Sequence, residues 1–395
     1  MKVCLLTPEF LPTWGGIGTY TYNLARELQD LAEVHVATSA SGLAALGSGD
    51  LDGVRVHPIT PDGNRPGSLG ASFQLAAFRR VPALARAHGF DIVHANHAYM
   101  SDLLLRLRRL RAKAAVTVHT TLGTQIEGTL RAPGSVPIDA SEGTIARWRP
   151  VLRGIERRYL RGTSAMIFVS RWVRDHAVAR YGVDPRISAV IPNGIDTERL
   201  AAADGPGGPL VERSDRPNLL FAGRLLALKG IDTLLHALVH VDPRVRLRLA
   251  GPGDPGPWKA LAGRLGLDPS RTEFLGPVPY AEMPGLYRQA DAVVLPSFSE
   301  SCPMVALEAM ACGTPLIAAR SGGVSEIVQD GETGWLFPPG DVDALADRIA
   351  TVLADPGQAR ATALRARAWV EANGSLARMA DRTLRFYEAV CGGAA

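Results

Sequence analysis

Short apolar runs rich in β-branched residues alternate with amphipathic helical stretches along most of this 395-residue chain. The alternation occurs in two similar sets, and a chain of this length exceeds what one hydrophobic core usually organises. The strand-like runs span residues 3–7, 34–38, 92–95, 115–119, 166–169 and 187–191, then 219–222, 245–250, 272–275, 292–295 and 316–318. This pattern is typical of parallel sheets covered by helices, so it predicts an α/β fold with two Rossmann-like, doubly wound domains.

A segment of small residues separates the two sets. Residues 201–209 are rich in glycine, proline and alanine and lack hydrophobic periodicity, as is typical of a boundary loop. The sequence therefore predicts a first domain over residues 1–200, a linker over 201–216 and a second domain over 217–375. Residues 376–395 begin with apolar side chains at helical spacing, which predicts a terminal helix with one face to bury.

Composition is typical of a soluble globular protein, with 46% hydrophobic and 21% charged residues. The apolar run from Met1 to Thr7 is too short for a signal peptide or a membrane-spanning helix. The four cysteines are Cys4, Cys302, Cys312 and Cys391. They show neither Cys-x-x-Cys pairing nor a metal-like cluster with histidine, so disulfide and zinc frameworks are unsupported and a reduced, cytoplasmic location is expected.

Positive charge is concentrated in residues 101–180, which hold 15 lysines and arginines against 6 acidic residues. The arginine runs at 106–111 and 147–161 fit two interpretations. They can be solvated helix faces, or they can contact an acidic acceptor or, peripherally, the anionic inner face of a membrane. No aromatic-and-basic interleaving or helix-turn-helix pattern accompanies the charge, so nucleic acid is not an expected partner.

Ligands of doubly wound sheets collect beyond the carboxyl ends of the strands, so polar groups after the predicted strands are the first candidates for a site. Gly15, Gly16 and Gly18 follow the first run and precede a helix predicted to begin near Thr19. Glycines there let backbone N–H groups approach a phosphate at a helix N-terminus. A turn that only reverses the chain explains them equally well.

Two cations follow the first strand of the second half, in the sequence from Gly223-Arg224 to Lys229-Gly230. Placed on a loop that enters a helix, Arg224 and Lys229 can hold both phosphates of a diphosphate and stabilise its charge as it departs. An exposed arginine and an unremarkable helix lysine are the alternative.

The longest candidate motif spans residues 296–315. Proline suits the first turn of a helix, so Pro303 predicts a helix start there. The backbone predicted to form an anion site belongs to Cys302, Pro303, Met304 and Val305. Glu300 precedes this helix and Glu308 follows about one turn inside it, where a carboxylate can accept hydrogen bonds from paired sugar hydroxyls. Capping or surface acids are the alternative for both.

A histidine, His119, ends the predicted strand 115–119 at the same sheet edge, where it is either catalytic or structural. The Asp-x-Asp sequences at Asp50/Asp52 and Asp341/Asp343 occur in a turn-like loop and at a helix start. We therefore interpret them as structural, and no metal site is predicted.

Together these motifs resemble family 4 of the retaining glycosyltransferases, which have the GT-B fold. The resemblance covers nearly the whole chain, from Gly15-Gly16 through Asn193-Gly194-Ile195-Asp196 to Gly322-Gly323-Val-Ser-Glu326. It is carried by Gly-Arg-Leu-x-x-x-Lys-Gly at 223–230 and by two glutamates eight residues apart, at 300 and 308. Members of this family have their active site in a deep cleft between the domains and a terminal helix that crosses back to the first domain.

The resemblance implies a role for each candidate. His119, Arg224, Lys229 and Glu300 would be catalytic; Gly15, Gly16, Gly223, Arg224, Lys229, Glu300, Cys302, Pro303, Met304, Val305 and Glu308 would bind the donor. Within these sets, the two cations and the Gly16 backbone would contact the diphosphate. Glu308 would contact the ribose and Glu300 the donor sugar. His119 would lie near the donor sugar and the reacting centre. The chain departs from the family where Ser301-Cys302-Pro303 replaces the frequent Gly-Phe-Gly, and where Leu31-Ala-Glu-Val lacks the common Gly-His.

The implied activity is retaining transfer of a hexose or aminohexose from a UDP- or GDP-sugar to a hydroxyl group, without cofactor or divalent metal. The acceptor would be a small natural product, a sugar phosphate or a lipid, held by the first domain including residues 123–149. The protein would be a monomer or a homodimer. The alternatives are a nucleotide-sugar epimerase, a phosphorylase of the same fold, and a noncatalytic nucleotide-sugar-binding protein.

Overall fold

The computed structural model describes residues 1–10, 16–40, 51, 53–60, 71–96, 100–132, 147–201 and 216–393. The chain divides into two compact units. The first consists of Met1–Gly123, Thr144–Gly194 and Leu376–Ala395, and the second of Thr124–Gly143 and Ile195–Ser375. Most of the predicted linker, residues 202–215, lies outside the described ranges.

The first unit is built on a parallel sheet in the order β3-β2-β1-β4-β5-β6-β7. Its strands are β1 (Lys2–Leu6), β2 (Glu33–Ser39), β3 (Val54–Thr60), β4 (Ile92–Asn96), β5 (Lys113–Val118), β6 (Met166–Phe168) and β7 (Ser188–Val190). Every residue of the central strand β4 is buried, as expected of a parallel strand covered on both faces. The order reverses between β1 and β4, which is the switch point of a doubly wound sheet.

The second unit repeats this arrangement with a parallel sheet in the order β10-β9-β8-β11-β12-β13. Its strands are β8 (Asn218–Ala222), β9 (Arg246–Ala250), β10 (Thr272–Gly276), β11 (Ala292–Leu295), β12 (Leu316–Ala319) and β13 (Trp335–Phe337). The switch point lies between β8 and β11. The α/β fold with two doubly wound sheets is therefore confirmed.

Helices cover both sheets. In chain order they are α1 (Gly16–Leu28), α2 (Ala71–His88), α3 (Leu122–Arg131), α4 (Arg149–Arg161), α5 (Arg171–Tyr181), α6 (Thr197–Ala201), α7 (Ile231–Val239), α8 (Gly256–Arg264), α9 (Met283–Gln289), α10 (Met304–Ala311), α11 (Val342–Ala354), α12 (Pro356–Asn373) and the terminal helix Leu376–Gly392. Within the described ranges, none is long and apolar enough to span a membrane.

The terminal helix packs on the core of the first unit. Its buried residues Leu376, Met379, Ala380, Tyr387 and Val390 recur at helical spacing and join the cluster that includes α1 and the first strands. Leu384 of the same helix is only partly buried and packs against this cluster. The predicted terminal helix with one buried face is thus confirmed.

Three details differ from the sequence expectation. The strands β3 and β13 were not predicted, because Pro58 interrupts the first pattern and the second is only three residues long; both are edge strands. Helix α1 begins at Gly16 rather than near Thr19. Glycine is a poor helix former, so the glycines in the first turn led to a predicted helix start that is too late.

Candidate functional site

The loop after β8 carries the two predicted cations of the second unit. Gly223 adopts φ 149°, and the side chain of Arg224 is exposed. A short 3₁₀ turn, Ala227–Lys229, then leads to Gly230, which has φ 72°. A Cβ atom on Gly230 would lie 2.0 Å from the carbonyl oxygen of Pro296, so only glycine lets this turn approach the loop after β11.

Backbone hydrogen bonds fix the loop that carries Glu300. The amide of Phe298 donates to the carbonyl of Leu228 at 2.9 Å, and the amide of Gly323 donates to the carbonyl of Glu300 at 2.8 Å. Gly322 has φ 56°, and a Cβ atom there would lie 1.9 Å from the same carbonyl oxygen. The loops after β8, β11 and β12 are therefore joined at the switch point of the sheet, where doubly wound folds hold ligands.

Lys229 and Glu300 form an ion pair, with 2.6 Å between Nζ and Oε1. Their side chains are 24% and 10% exposed, so the pair is shielded but still reachable. An ammonium group has three N–H donors, and one contact to Glu300 leaves donors for a second anionic group. The fold thus unites two predicted site residues that are 71 positions apart in sequence.

Helix α10 follows this loop, and its first residue is Met304 rather than Pro303. Pro303 is the cap residue, with the extended angles φ −70° and ψ 118°. The amides of Ala306 and Leu307 donate to the Pro303 carbonyl at 3.2 and 3.4 Å. The amides of Met304 and Val305 precede Ala306, the first intrahelical donor, and both residues are only half-buried. These N–H groups and the helix dipole favour an anion at this end.

Glu308 lies within the second turn of α10 and is buried. Burial raises the pKa of its carboxyl to about 7, and a hydrogen bond from Tyr287, which favours the carboxylate, only partly opposes this. The Tyr287 hydroxyl donates to Oε2 at 2.6 Å. At neutral pH this carboxyl is therefore close to half ionised, unlike an ordinary surface glutamate.

Sequence reasoning missed three polar residues near this loop. Tyr287 lies on α9 and is fully buried. Ser297 and Ser321 are also buried, and among the described residues neither hydroxyl has a hydrogen-bond partner. Ser297 falls within the longest candidate motif, which could have drawn attention to it, whereas nothing in the sequence around Tyr287 signals its contact with Glu308.

In the first unit, the amino end of α1 and the carboxyl ends of β1 and β4 lie at the switch point of the sheet. Gly15 lies outside the described residues, whereas Gly16 is the first residue of α1. Among the described residues, no heavy atom lies within 4 Å of the position that a Cβ on Gly16 would take. Packing against the described residues therefore does not require a glycine at this position.

His119 directly follows β5 and is nearly buried. Its Nε2 lies 3.5 Å from Oδ1 of Asn96, and its ring meets the edge of Tyr20 with centroids 4.6 Å apart. The Asn96 amide in turn donates to the Thr21 hydroxyl at 2.6 Å. His119 is therefore held at the carboxyl edge of the sheet by groups from β4 and α1.

Arg106 differs from the other arginines of its run. It is largely withdrawn from solvent, because it pairs with Asp102 at 2.8 Å and bonds to the Tyr159 carbonyl and the Thr163 hydroxyl. The other arginines of this run, at 108, 109 and 111, are exposed. On α4 the arginines at 157, 158 and 161 are also exposed and line one shallow concavity, so both interpretations stay open for the exposed arginines of the two runs.

Other predictions concern loops and capping acids. In the segment 123–149, residues up to 131 belong to α3 and residues 133–146 lie outside the described ranges. Asp341 caps α11 by accepting a 2.9 Å bond from the Ala344 amide, which confirms its structural interpretation. Asp50 and Asp52 lie outside the described residues.

Comparison with known proteins agrees with this geometry. The profile of the family "Glycosyltransferase Family 4" matches residues 14–199, and that of "Glycosyl transferases group 1" matches residues 209–369. A related protein is the D-inositol 3-phosphate glycosyltransferase of Streptomyces bingchenggensis, 32% identical over 371 residues, which cover 87% of this chain and 78% of the relative.

Two solved structures share the fold over almost their whole length. Sucrose-phosphate synthase from Thermosynechococcus elongatus has a TM-score of 0.83 at 24% identity and covers 99% of both chains. Anabaena HepE in complex with UDP-glucose has a TM-score of 0.75 at 23% identity, over 98% of this chain and 100% of its own. The chain therefore belongs to glycosyltransferase family 4 and is a glycosyltransferase of the GT-B fold.

Proposed function

We propose that this protein transfers a hexose or aminohexose from a UDP- or GDP-sugar to an acceptor hydroxyl, with retention of the anomeric configuration. The observation that carries the proposal is the Lys229–Glu300 ion pair. It lies at the switch point of the second sheet, on the loop that leads into α10. A cation, unsatisfied helix amides and buried carboxyls gathered there suit a nucleotide diphosphate sugar.

The diphosphate is the group that the cations would hold. Arg224 is exposed and free to reach a ligand, and Lys229 keeps N–H donors beyond the one used by Glu300. The first amides of α10 add further donors and the positive end of a helix dipole. The amino end of α1 at Gly16 would offer the same kind of contact to a phosphate.

The sugar and the ribose would be bound by carboxylates. Glu300, beside Lys229, would accept hydrogen bonds from the transferred sugar, and Glu308 would accept them from the ribose hydroxyls. Accepting two hydroxyl donors requires the ionised carboxyl, so nucleotide binding would draw Glu308 towards its charged form. Because the pKa of Glu308 is about 7, its deprotonation costs little free energy near neutral pH.

Transfer would proceed by substitution on one face of the sugar. The acceptor oxygen forms a bond to the anomeric carbon while the bond from that carbon to the diphosphate oxygen breaks. The acceptor proton passes to an oxygen of the leaving diphosphate. Arg224, Lys229 and the α10 amides would stabilise the departing charge, a task that needs no divalent metal in this arrangement. His119 would lie near the reacting centre.

For the acceptor we propose a phosphorylated polyol, with an inositol phosphate as the first compound to test. The relative described above is named a D-inositol 3-phosphate glycosyltransferase. The surplus of basic residues in 101–180, four of which are exposed on α4, supports a negatively charged acceptor.

The proposal is tested by incubating the protein with UDP-glucose, UDP-N-acetylglucosamine or GDP-mannose and a panel of acceptors that includes inositol 3-phosphate, in the presence of EDTA. We expect a glycoside whose anomeric proton coupling in NMR matches the donor configuration. An inverted product would refute retention, and activity that requires manganese would refute the metal-free mechanism. Formation of an epimer from the donor alone would identify an epimerase. Cleavage of glycosides by phosphate would identify a phosphorylase. Donor binding without turnover would indicate a noncatalytic binding protein.

A further inference from the structure

Three histidine side chains from separate elements meet at the edge of the first sheet. His35 lies on β2, His57 on the edge strand β3, and His88 is the last residue of α2. Each offers one nitrogen such that the three atoms all lie within 4.8 Å of one another. The Nδ1 atom of His35 is only 2.8 Å from Nε2 of His57, and the ring of His88 has its centroid 4.6 Å from that of His35.

A carboxylate sets the orientation of the central ring. Oε1 of Glu33 lies 3.1 Å from Nε2 of His35, and a carboxylate can only accept, so this nitrogen carries the proton. The Nδ1 atom then presents its lone pair towards His57. A carboxylate behind a histidine is the arrangement that orients histidine ligands and raises their basicity in metal sites.

We propose that His35, His57 and His88 bind a zinc ion, with the fourth position taken by a solvent molecule. Imidazole nitrogens are preferred zinc ligands, and tetrahedral coordination at about 2.0–2.1 Å places ligand atoms roughly 3.4 Å apart. Nδ1 of His35 and Nε2 of His57, now 2.8 Å apart, must therefore separate slightly, and no pair of the three nitrogens, all within 4.8 Å, needs to approach by much more than about 1 Å. His57 and His88 are half-buried, so their rings can turn, while the fully buried His35 stays fixed by Glu33.

The location indicates a structural ion rather than one that takes part in transfer. His35 is near the amino end of β2, and α2 ends at His88 just before β4 begins, so the cluster lies towards the edge opposite the carboxyl ends of the strands. An ion there would link β2, the edge strand β3 and the crossover helix α2. It would stabilise the first unit without contact with the candidate donor groups.

The test is zinc binding by the full chain, stripped of metal with chelator and then measured by calorimetry and by metal content after dialysis. We expect one zinc ion per chain and an unfolding temperature that rises when zinc is added. His57→Gln and His88→Gln should each weaken zinc binding by at least tenfold, since each removes one ligand from a partly exposed position. Glu33→Gln, which leaves all three ligands, should weaken it by about 10- to 100-fold.

His240→Gln serves as the matched control, because His240 is an exposed histidine of the second unit. It should bind zinc as the unaltered protein does. Absence of stoichiometric binding by the unaltered protein, or equal binding by the His57, His88 and His240 variants, would overturn the proposal and leave the three rings as packing partners. Because the two ligand variants alter half-exposed side chains, their folding can be checked by circular dichroism in the same samples.

Discussion

The hydroxyl of Tyr287 donates a 2.6 Å hydrogen bond to Oε2 of Glu308, and both side chains are buried in the second unit. This contact joins α9 to α10 directly behind the loop that carries Glu300. It holds the Glu308 carboxyl in one orientation while burial raises its pKa to about 7. A carboxyl in this state can respond to a ligand by losing its proton.

Nucleotide affinity should therefore depend on pH through Glu308. The ionised form accepts the ribose hydroxyls, and with a pKa of about 7 only about a tenth of the carboxyl is ionised at pH 6. We expect the affinity for UDP or GDP, whichever binds, to fall about tenfold between pH 8 and pH 6, measured by calorimetry. The phosphate groups of the nucleotide also titrate, so Glu308→Gln is the control. This variant should bind the nucleotide more weakly at pH 8 and should show only the pH dependence that comes from the nucleotide. Identical profiles for the two proteins would contradict the role.

A second buried carboxyl, Glu156, should affect stability instead. It accepts bonds from the Tyr181 hydroxyl and, at 2.8 Å, from the Leu122 amide, and burial raises its pKa from 4.5 to about 7. The folded chain binds this proton more tightly than the unfolded chain. The stabilisation is therefore complete below about pH 4.5 and is lost as the pH rises through about 7.

The Glu156→Gln variant should lack this pH dependence of stability. From pH 5 to pH 8 we expect the free energy of unfolding of the unaltered protein to fall, relative to the variant, by about 2 kcal/mol. Urea unfolding at the two pH values measures it. A difference between the proteins that does not change with pH would contradict the assignment.

The Gly16→Ala variant separates folding from donor binding. A Cβ there meets no described atom within 4 Å, and Gly16 is not among the described residues with positive φ, so stability should be unchanged or up to about 1 kcal/mol higher. If a diphosphate approaches this backbone, affinity should fall by about tenfold or more, or about 1.4 kcal/mol. Gly154→Ala, inside α4 and equally open, should raise stability by up to about 1 kcal/mol in the same way but leave donor affinity unchanged. Full donor binding by Gly16→Ala would remove this helix end from the site.

Loss of the lysine in the Lys229–Glu300 pair should mainly reduce turnover. A charge-assisted contact to a leaving group lowers the barrier by about 2–4 kcal/mol, so Lys229→Ala should lower kcat by about 30- to 1000-fold. Lys259→Ala, which alters an exposed lysine on α8, is the control and should retain kcat. Steady-state kinetics measure both, with thermal unfolding to verify that each variant is folded. Unchanged kcat in Lys229→Ala would exclude Lys229 from the chemistry.

Much of the fold could be predicted because many parallel strands covered on both faces are continuous apolar runs, as in β11 and β12. The edge strands β3 and β13 could not, since one contains Pro58 and the other has three residues. Residues that lie just after a strand, such as Arg224 and Glu300, could be predicted because the sheet brings strand ends together. The direct pairing of Lys229 with Glu300 could not, because it depends on Gly230 and Gly322, which let three loops approach.

Contacts between side chains on separate helices and strands could not be predicted from the sequence. Tyr287 contacts Glu308 through the packing of α9 on α10, which no local pattern records. The histidines at 35, 57 and 88 are spread over three elements, so the spacing of metal-ligand motifs does not apply to them. Tertiary contact alone creates both features.

The structure of the protein crystallised with UDP or GDP is the most direct test of the central claim. We predict that the diphosphate lies within hydrogen-bonding distance of Arg224 or Lys229 and of the first amides of α10. A diphosphate bound away from these three groups in an otherwise intact complex would contradict the account.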